Sequence, residues 1–471
     1  MSIYSEIKQA FPTLPIADIS DYYTSEIELA KRVYQGSPPW KTVKSSGLKQ
    51  KTRKRALTGM AKVVCDKMAA LTFSEQCDIE CPEYQEVIDN ILSDNRFNSK
   101  FPEWLSRAFA LGGGVLKVNI IDRGITINYL NADVFFPTKW DNRHITGGIF
   151  RTTMTAGKDH YTIFENVITT PAGFAMENRA FKSDSKSSLG SPVNISEVLP
   201  GTEQKTDFYG IKTPLFTYFK PAIGNNKCFD LPLGIPIFAN CYDTLEMIDV
   251  VFDSLQREFI LGKKRIIIPE QFVQLVTGID GEQHRYFDVD DEIYQAFMGD
   301  SEKLGINDIS VQLRVQEHCD AMNYLLNLLA SQLGLSVGSL SFDRSDGLKT
   351  ATEVVANERD TMRTVENQKN IITECIKELC ENIIAAYCYI MGLNPIDHTV
   401  TVTWKDNVIA DDDTRIQRNI ELVGAGLRSK LRALTDINGY DDESAAKELT
   451  VINGEQPSGG GSLDHLLGGG E

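Results

Sequence analysis

No run of about 18 apolar, uncharged residues occurs in the chain, which leaves no candidate for a membrane-spanning helix. The nearest approach, Ile383 to Ile396, is broken by Gly392, Asn394 and Pro395. The first residues, MSIYSEIKQAF, mix acidic and basic side chains and lack an apolar stretch ending in small residues, so no secretory leader is expected. A GxxxxGK[ST] phosphate cradle is missing. Neither Gly157-Lys158-Asp159 nor Gly262-Lys263-Lys264 places a backbone loop, a lysine and a hydroxyl at the required offsets. The triple glycine Gly112 to Gly114 runs into a strand pattern rather than a helix N-terminus, so it is not read as a cradle. GxSxG is absent too. The six histidines, at 144, 160, 284, 318, 398 and 465, include no HExxH and no two at ligand spacing. Cys77 and Cys81 lack a second half and are read as structural. An enzyme is not expected, nor a cofactor or resident metal.

What is present is a chain of 471 residues with 42% hydrophobic and 24% charged residues, enough for a sizeable core and about three domains. The nine cysteines are an odd number, several on apolar helix faces, and are expected to be reduced core residues. Against 48 Lys and Arg stand 65 Asp and Glu, a net charge of −17. That balance disfavours a protein that grips nucleic acid or anionic lipid through a basic surface. It does not exclude contact with DNA altogether, because a surface that lets DNA slide past avoids the phosphate contacts that grip it.

Up to about Arg107 the pattern is helical. A basic cluster at Lys49, Lys51, Arg53, Lys54 and Arg55 leads into an apolar series from Ala56 to Leu71. The cluster reads as a solvated first helical turn, with contact to phosphates or a neighbouring subunit as the alternative. Val115 to Ile121 and Gly124 to Tyr129, joined by Asp122-Arg123, form a hairpin signal. Further short strands at Phe150, Tyr161 to Ile168 and Leu215 to Phe219 make a small α+β unit, with Lys182 to Pro192 as a long surface loop.

After Leu231-Pro-Leu-Gly-Ile-Pro236 a helix carries Tyr242, Leu245, Ile248, Phe252, Leu255 and Phe259 on one stripe. Asp243, Glu246, Asp249 and Asp253 in its first half and Lys263, Lys264 and Arg265 after its end complement the helix dipole. A second helix presents Cys319, Met322, Leu325, Leu326, Leu329 and Leu333 and ends at Gly334. The turn-rich segment to Lys349 is followed by a capping box, Thr350-Ala-Thr-Glu353, that opens a helix to Met391, about 63 Å long at 1.5 Å per residue. A strand over Thr399 to Trp404 and a further helical block follow, and from Gly454 the composition collapses to Gly, Ser and Pro. Asp411, Asp412 and Asp413 read as cap and dipole partners rather than a metal site, and Asp288 to Glu292 as a solvated turn.

This order of elements resembles the portal proteins of tailed double-stranded DNA bacteriophages, of the siphophage type. The resemblance is carried by Pro236-Ile-Phe-Ala-Asn-Cys-Tyr-Asp-Thr-Leu-Glu-Met-Ile-Asp249, by Glu258-Phe-Ile-Leu-Gly-Lys-Lys-Arg265, and by Leu333-Gly-Leu-Ser-Val-Gly-Ser-Leu-Ser-Phe342 running into Gly347-Leu-Lys-Thr-Ala-Thr-Glu353. It implies an α+β, predominantly helical subunit with wing, stem, clip and crown, assembled as a ring. By resemblance the wing is 1–239, the stem helices are 240–262 and 314–333, and the clip is 263–313. A tunnel loop then takes 334–349, a long wing helix and strand 350–404, the crown 405–453 and a flexible tail 454–471.

The implied function is a dodecameric channel at one capsid vertex for DNA packaging and ejection, with twelve copies carrying −204 in all. Implied partners are the terminase large subunit, the major capsid and scaffolding proteins, head-tail adaptor proteins and the DNA in the channel. No membrane is implied. The implied location is the virion, and the host cytoplasm during assembly. Ser339, Leu340, Ser341, Phe342 and Asp343 are the tunnel-loop residues expected near DNA, with Leu340 and Phe342 at the constriction or packed on a neighbouring subunit. Lys263, Lys264 and Arg265 are the stem and clip candidates, facing the channel or serving only the helix dipole. The alternative is another virion structural protein, a head-tail adaptor or minor head protein.

Overall fold

The computed structural model describes all residues except 1–2, 17, 45–51, 74–76, 122–123, 142–143, 212–213, 263–265, 268–273, 278–282, 287–306, 309–311, 342–350, 405–411, 439–441 and 456–471. The chain divides into two compact units, Met1–Leu348 with Val355–Thr403, and Lys349–Val354 with Trp404–Glu471. Helix accounts for 48% and strand for 24%, so the class is α+β with helix dominant.

The first unit opens with α1 (Ile3–Ala10) and a helical run made of α2 (Ser20–Tyr22), a π-helical segment Tyr23–Glu28 and α3 (Leu29–Tyr34). Tyr23 stacks on Phe136 at 4.1 Å and donates to the Phe135 carbonyl, while the Tyr22 hydroxyl donates to the Gly234 carbonyl at 2.7 Å. A short ribbon of β1 (Thr42–Lys44) and β2 (Thr52–Lys54) precedes α4 (Met60–Phe73), β3 (Cys77–Glu80), α5 (Gln85–Asp94) and α6 (Phe97–Leu111). The long helical pattern expected here is thus interrupted by three short strands.

Aromatic residues on α6 form its packing ridge. Phe101 lies 4.7 Å from Phe73 and 5.4 Å from Trp104, and Trp104 and Phe109 each lie 5.8 Å from Phe219. The Trp104 indole is fully buried and its N–H donates to the Leu130 carbonyl at 2.8 Å, so the largest core side chain leaves no unpaired polar atom. At the end of α6, Gly112 has φ +75°, and a Cβ there would sit 2.5 Å from the Ile235 carbonyl carbon. The glycine run lets three neighbours approach closely: Ile235 at Gly112, Tyr218 at Gly113 and the Trp104 ring at Gly114.

That strand, β4 (Gly114–Ile121), pairs antiparallel with β5 (Gly124–Asn131) as the hairpin signal required, and with β12 (Phe216–Phe219) on its other side. A second sheet has the order β10-β9-β8-β7-β6, from β6 (Phe135–Trp140), β7 (Ile145–Ala156), β8 (Asp159–Thr170), β9 (Gly173–Ser183) and β10 (Ser191–Val193), with β11 (Lys205–Tyr209) also on β9 and the short α7 (Ile195–Val198) between β10 and β11. The expected surface loop over Lys182 to Pro192 is shorter than that span, exposed from Asp184 to Ser188 between the end of β9 and the start of β10. Ser191 pairs with Lys182 and Leu189 is 2% exposed, because a leucine between the strands folds the segment onto the core.

Helix α8 (Tyr242–Leu261) fixes the N-terminal segment through its acidic face. Asp253 receives both guanidinium nitrogens of Arg53 at 2.7 Å and the Ala56 amide at 3.2 Å. One turn earlier, Asp249 accepts from the Trp40 indole at 2.9 Å and from the amide and hydroxyl of Thr58 at 2.8 Å. Arg55 reaches Glu246 at 3.1 Å. Both aspartates are buried, so they are anchors rather than dipole partners alone, and Arg53 and Arg55 are bound residues rather than members of a solvated turn.

After α9 (Val315–Gln332), α10 (Ala351–Met391) runs about 61 Å. Ile372, Ile376, Leu379 and Ile383 on it are fully buried. Two buried amides set its register: Asn382 donates to the Thr217 hydroxyl at 3.0 Å, and Gln368 accepts from the Ala222 amide at 2.9 Å. A strand follows at β17 (Thr401–Trp404). The capping residue expected at Thr350 lies outside the described residues.

The second unit contains α11 (Asp412–Gly424), α12 (Lys430–Asn438) and α13 (Asp442–Glu455). Ala433 and Ala445 are its buried small residues, and Arg428 donates to the Asn419 side chain at 2.8 Å.

The acidic face of α8 yields a graded prediction. Asp253→Ala leaves the half-buried Arg53 guanidinium and the Ala56 amide without their acceptor and lowers stability by about 1–3 kcal/mol. Removing Lys62, whose ion pair with Asp66 is exposed on both sides, changes it by at most about 0.5 kcal/mol. Urea unfolding of the full chain measures both, and equal effects would contradict the anchoring role of α8.

Candidate functional site

The helices α8 and α9 are joined where the end of one meets the start of the other. Arg314, at the N-terminus of α9, donates to Glu258 of α8 at 3.0 and 3.1 Å from its guanidinium and at 3.3 Å from its amide. The guanidinium beside it holds the Glu258 carboxyl below its ordinary range. A Cβ on Gly262 would lie 2.3 Å from a Leu313 methyl, so the exit from α8 and the entry to α9 are in close contact. The intervening insert leaves as β13 (Ile266–Ile267) and returns as β16 (Asn307–Asp308), paired antiparallel, with β14 (Gln274–Thr277) and β15 (Gln283–Tyr286) as an inner hairpin. Chain order and closure therefore give two paired helices with a small β insert at one end. Lys263, Lys264 and Arg265 lie outside the described residues, as do Asp288 to Glu292.

The expected apolar stripe of α8 splits in two. Leu245 and Ile248 are buried, whereas Phe252 and Phe259 are 38% and 50% exposed, joined by Ile260 and Leu261. On α9 and its flanking residues, Met322, Leu326, Leu329 and Leu333 are buried, while Leu313, Val315, Tyr324 and Leu328 are exposed. Cys319, expected on the apolar face, is exposed, whereas six of the nine cysteines are buried. Large apolar side chains at this density on two paired helices mark a surface that associates.

The segment after α9 is held as a compact turn up to the last described residue, Ser341. Gly334 has φ +70° and its carbonyl accepts from the Thr364 hydroxyl at 2.6 Å. The Ser336 amide donates to the Thr361 hydroxyl at 2.8 Å, the Gly338 amide donates to the Asn327 side chain at 2.9 Å, and Lys67 of α4 donates to the Ser339 carbonyl. Ser339, Leu340 and Ser341 are half-buried, and Phe342 and Asp343 lie outside the described residues. Sequence reasoning missed Thr361 and Thr364. Their signal was two hydroxyls spaced i, i+3, which a helix places on one face.

A cleft of about 1340 Å³ lies along the C-terminal half of α10, with Trp140, Phe216, Tyr389 and the largely exposed Phe229 among its walls. Two histidines brace it. His144 reaches Glu378 at 2.7 Å, and His398 reaches Glu381 at 2.8 Å through Nε2 while its Nδ1 lies 2.7 Å from the Ile396 carbonyl. Burial works against the charged form of His398, but the Ile396 carbonyl and Glu381 outweigh it and raise its pKa. Burial pushes Glu378 up, partly offset by His144. Among the described residues no three His, Cys, Asp or Glu side chains could hold a metal ion, and no helix is long and apolar enough to cross a membrane.

With two paired helices around an insert, a pinned turn and a long helix in place, the chain's family can be stated: it belongs to the phage portal proteins of the SPP1 Gp6-like type, whose pattern matches residues 14–457. Among solved structures it is similar to a chain of the virion of a native gene transfer agent particle, at 12% identity and TM-score 0.42, covering 93% of this chain and 99% of that one. It is also similar to a chain from the neck of the native particle computed with C12 symmetry, at 11% identity and TM-score 0.41, covering 86% and 91%. No curated protein sequence matches.

The raised pKa of His398 fixes the sign of a pH effect. Its contribution to stability is fully present below the unfolded histidine value of about 6.5 and is lost as pH rises through the higher folded value. Melting temperatures of the unaltered chain and of His398→Gln should therefore converge above about pH 8 and diverge below about pH 6. A constant difference across that range would contradict the assignment.

Proposed function

We propose that this chain is the subunit of a portal ring of twelve copies at one capsid vertex, through which double-stranded DNA enters during packaging and leaves during ejection. The observation that carries the reading is the portal-family match over residues 14–457, nearly the whole chain. In this reading α8 and α9 are the stem, 263–313 the clip, 334–349 the tunnel loop and 405–453 the crown. The terminase large subunit docks on the clip during packaging and head-tail adaptor proteins take its place afterwards. Major capsid and scaffolding proteins surround the wing, and the protein resides in the virion after assembly in the host cytoplasm.

The chemistry asked of such a subunit is geometric. The net charge of −17 per chain keeps phosphate contacts weak and lets a duplex slide. The turn at Ser339 to Ser341, pinned by α9, α10 and Lys67, supports a loop that carries Phe342 and Asp343 towards the bore, with Lys263, Lys264 and Arg265 near the clip. The exposed Phe252, Phe259, Tyr324 and Leu328 supply the contact between neighbouring subunits.

Negative-stain imaging of the purified chain together with its mass in solution tests this. Rings with a central hole and a mass near 630 kDa, twelve times 52.6 kDa, are the expected result. Phe259→Asp with Tyr324→Asp should give monomers with unchanged far-ultraviolet circular dichroism. Monomers or dimers of the unaltered chain at every salt concentration would overturn the reading.

A further inference from the structure

The strongest local departure from the chain's acidic character is the stretch 41–55, KTVKSSGLKQKTRKR, which holds seven Lys and Arg and no Asp or Glu. Its arginines and lysines have different fates. Arg53 and Arg55 turn inward to Asp253 and Glu246 on α8, and the Lys41 ammonium donates to the Gly36 carbonyl at 2.6 Å. Lys44 and Lys54 turn outward. In the β1–β2 ribbon Thr42 pairs with Lys54 and Lys44 with Thr52, and all four side chains are exposed while Val43 and Arg53 are half-buried beneath them. Period-two alternation therefore builds a ribbon face of two lysines and two threonines. Neither lysine forms an ion pair among the described residues.

We infer that this ribbon face is a contact for the phosphate backbone of double-stranded DNA, separate from the tunnel loop. Lysine and threonine are phosphate-contacting side chains that position a protein on a duplex without reading its sequence. The division between base types fits that task. The Arg53 fork serves the buried Asp253 of α8 and Arg55 reaches Glu246, whereas the outward ammonium groups offer mobile point charges whose contacts form and break readily in salt. A two-stranded ribbon is also narrow enough to follow a DNA groove.

The competing occupant is an acidic surface on a second copy of this chain. A stable protein contact draws on buried aromatic or aliphatic anchors. The exposed face of Thr42, Lys44, Thr52 and Lys54 offers none, so the observations favour the phosphate backbone. The inference rests on the portal reading only for the source of the DNA. The ribbon's chemistry stands on its own residues.

The test is fluorescence anisotropy of a labelled duplex of about 30 base pairs titrated with the full chain over about 50–200 mM salt. Three proteins are compared: the unaltered chain, Lys44→Ala with Lys54→Ala, and Lys44→Arg with Lys54→Arg. Each lost lysine contact lowers the slope of log affinity against log salt by about one, so the alanine pair should flatten it by about two and the arginine pair should retain it. Mass and ring images are recorded for all three. A flattened slope with unchanged assembly supports the inference, and so does a flattened slope in a chain that forms no rings, where the portal reading alone fails. An unchanged slope in the alanine pair overturns it. So does an alanine pair that loses rings but keeps the slope, which would make the ribbon a contact between copies.

Discussion

Asp249 and Asp253, one helical turn apart on α8, set the orientation on which the outward surface of the subunit depends. Two like charges at i and i+4 on an isolated helix repel, and burying either one unpaired is costly. The fold meets both costs with donors from the segment 40–58: an arginine fork, an indole, two amides and a hydroxyl. Hydrogen bonds to charged groups contribute about 1.5–3 kcal/mol each, well above the exposed ion pairs elsewhere on the chain. With that face of α8 turned inward, helical geometry at 100° per residue rotates Phe252 and Phe259 onto one flank. They are exposed for that reason, and on α9 Tyr324 and Leu328 also reach solvent.

A second constraint acts along α10. A helix of this length packed only by aliphatic side chains can slip by a turn at modest cost, because successive turns present similar surfaces. Gln368 and Asn382 remove that freedom, since a slip would leave a buried amide and a buried hydroxyl unpaired. Fixing α10 also fixes Thr361 and Thr364, and through them the turn at Gly334 to Ser341. The position of the proposed tunnel loop is thus decided at contacts far along the same helix.

Periodicity was the reliable guide in the sequence. It located α8 and α10 to within a residue or two and the end of α9, whose first turn lies before the apolar series that began at Cys319, and it found the β4–β5 hairpin. It failed where the partner is remote. Arg53 looked solvated because Asp253 lies 200 residues away, and β1 and β2 are too short to show an alternation. The inward half of the α8 stripe and its outward half looked identical, since a pattern of apolar residues shows that a face wants burial without showing whether the same chain covers it. The acidic positions carried an overlooked hint: Asp249 and Asp253 at i, i+4 have one basic neighbour on the helix, Arg257 four residues after Asp253, so buried they draw further donors from elsewhere in the chain.

The exposed apolar flank and the acid surplus pull in opposite directions in the proposed ring. Twelve copies bring together a formal charge of −204, and at low ionic strength that repulsion opposes closure. At physiological salt the Debye length is about 8 Å, so charges on well-separated surfaces hardly interact, while a buried phenylalanine still contributes about 1.5–3 kcal/mol. Several such side chains per subunit, used again at every junction of a closed ring, outweigh a repulsion that salt has already cut short. The two features then serve different ranges. Apolar burial acts at contact between neighbours, and negative charge acts across the open bore, where it keeps a polyanion from adhering to the wall. A basic ribbon fixed beside α8 is consistent with this division, because its lysines form a small local exception on a surface whose average is repulsive to DNA.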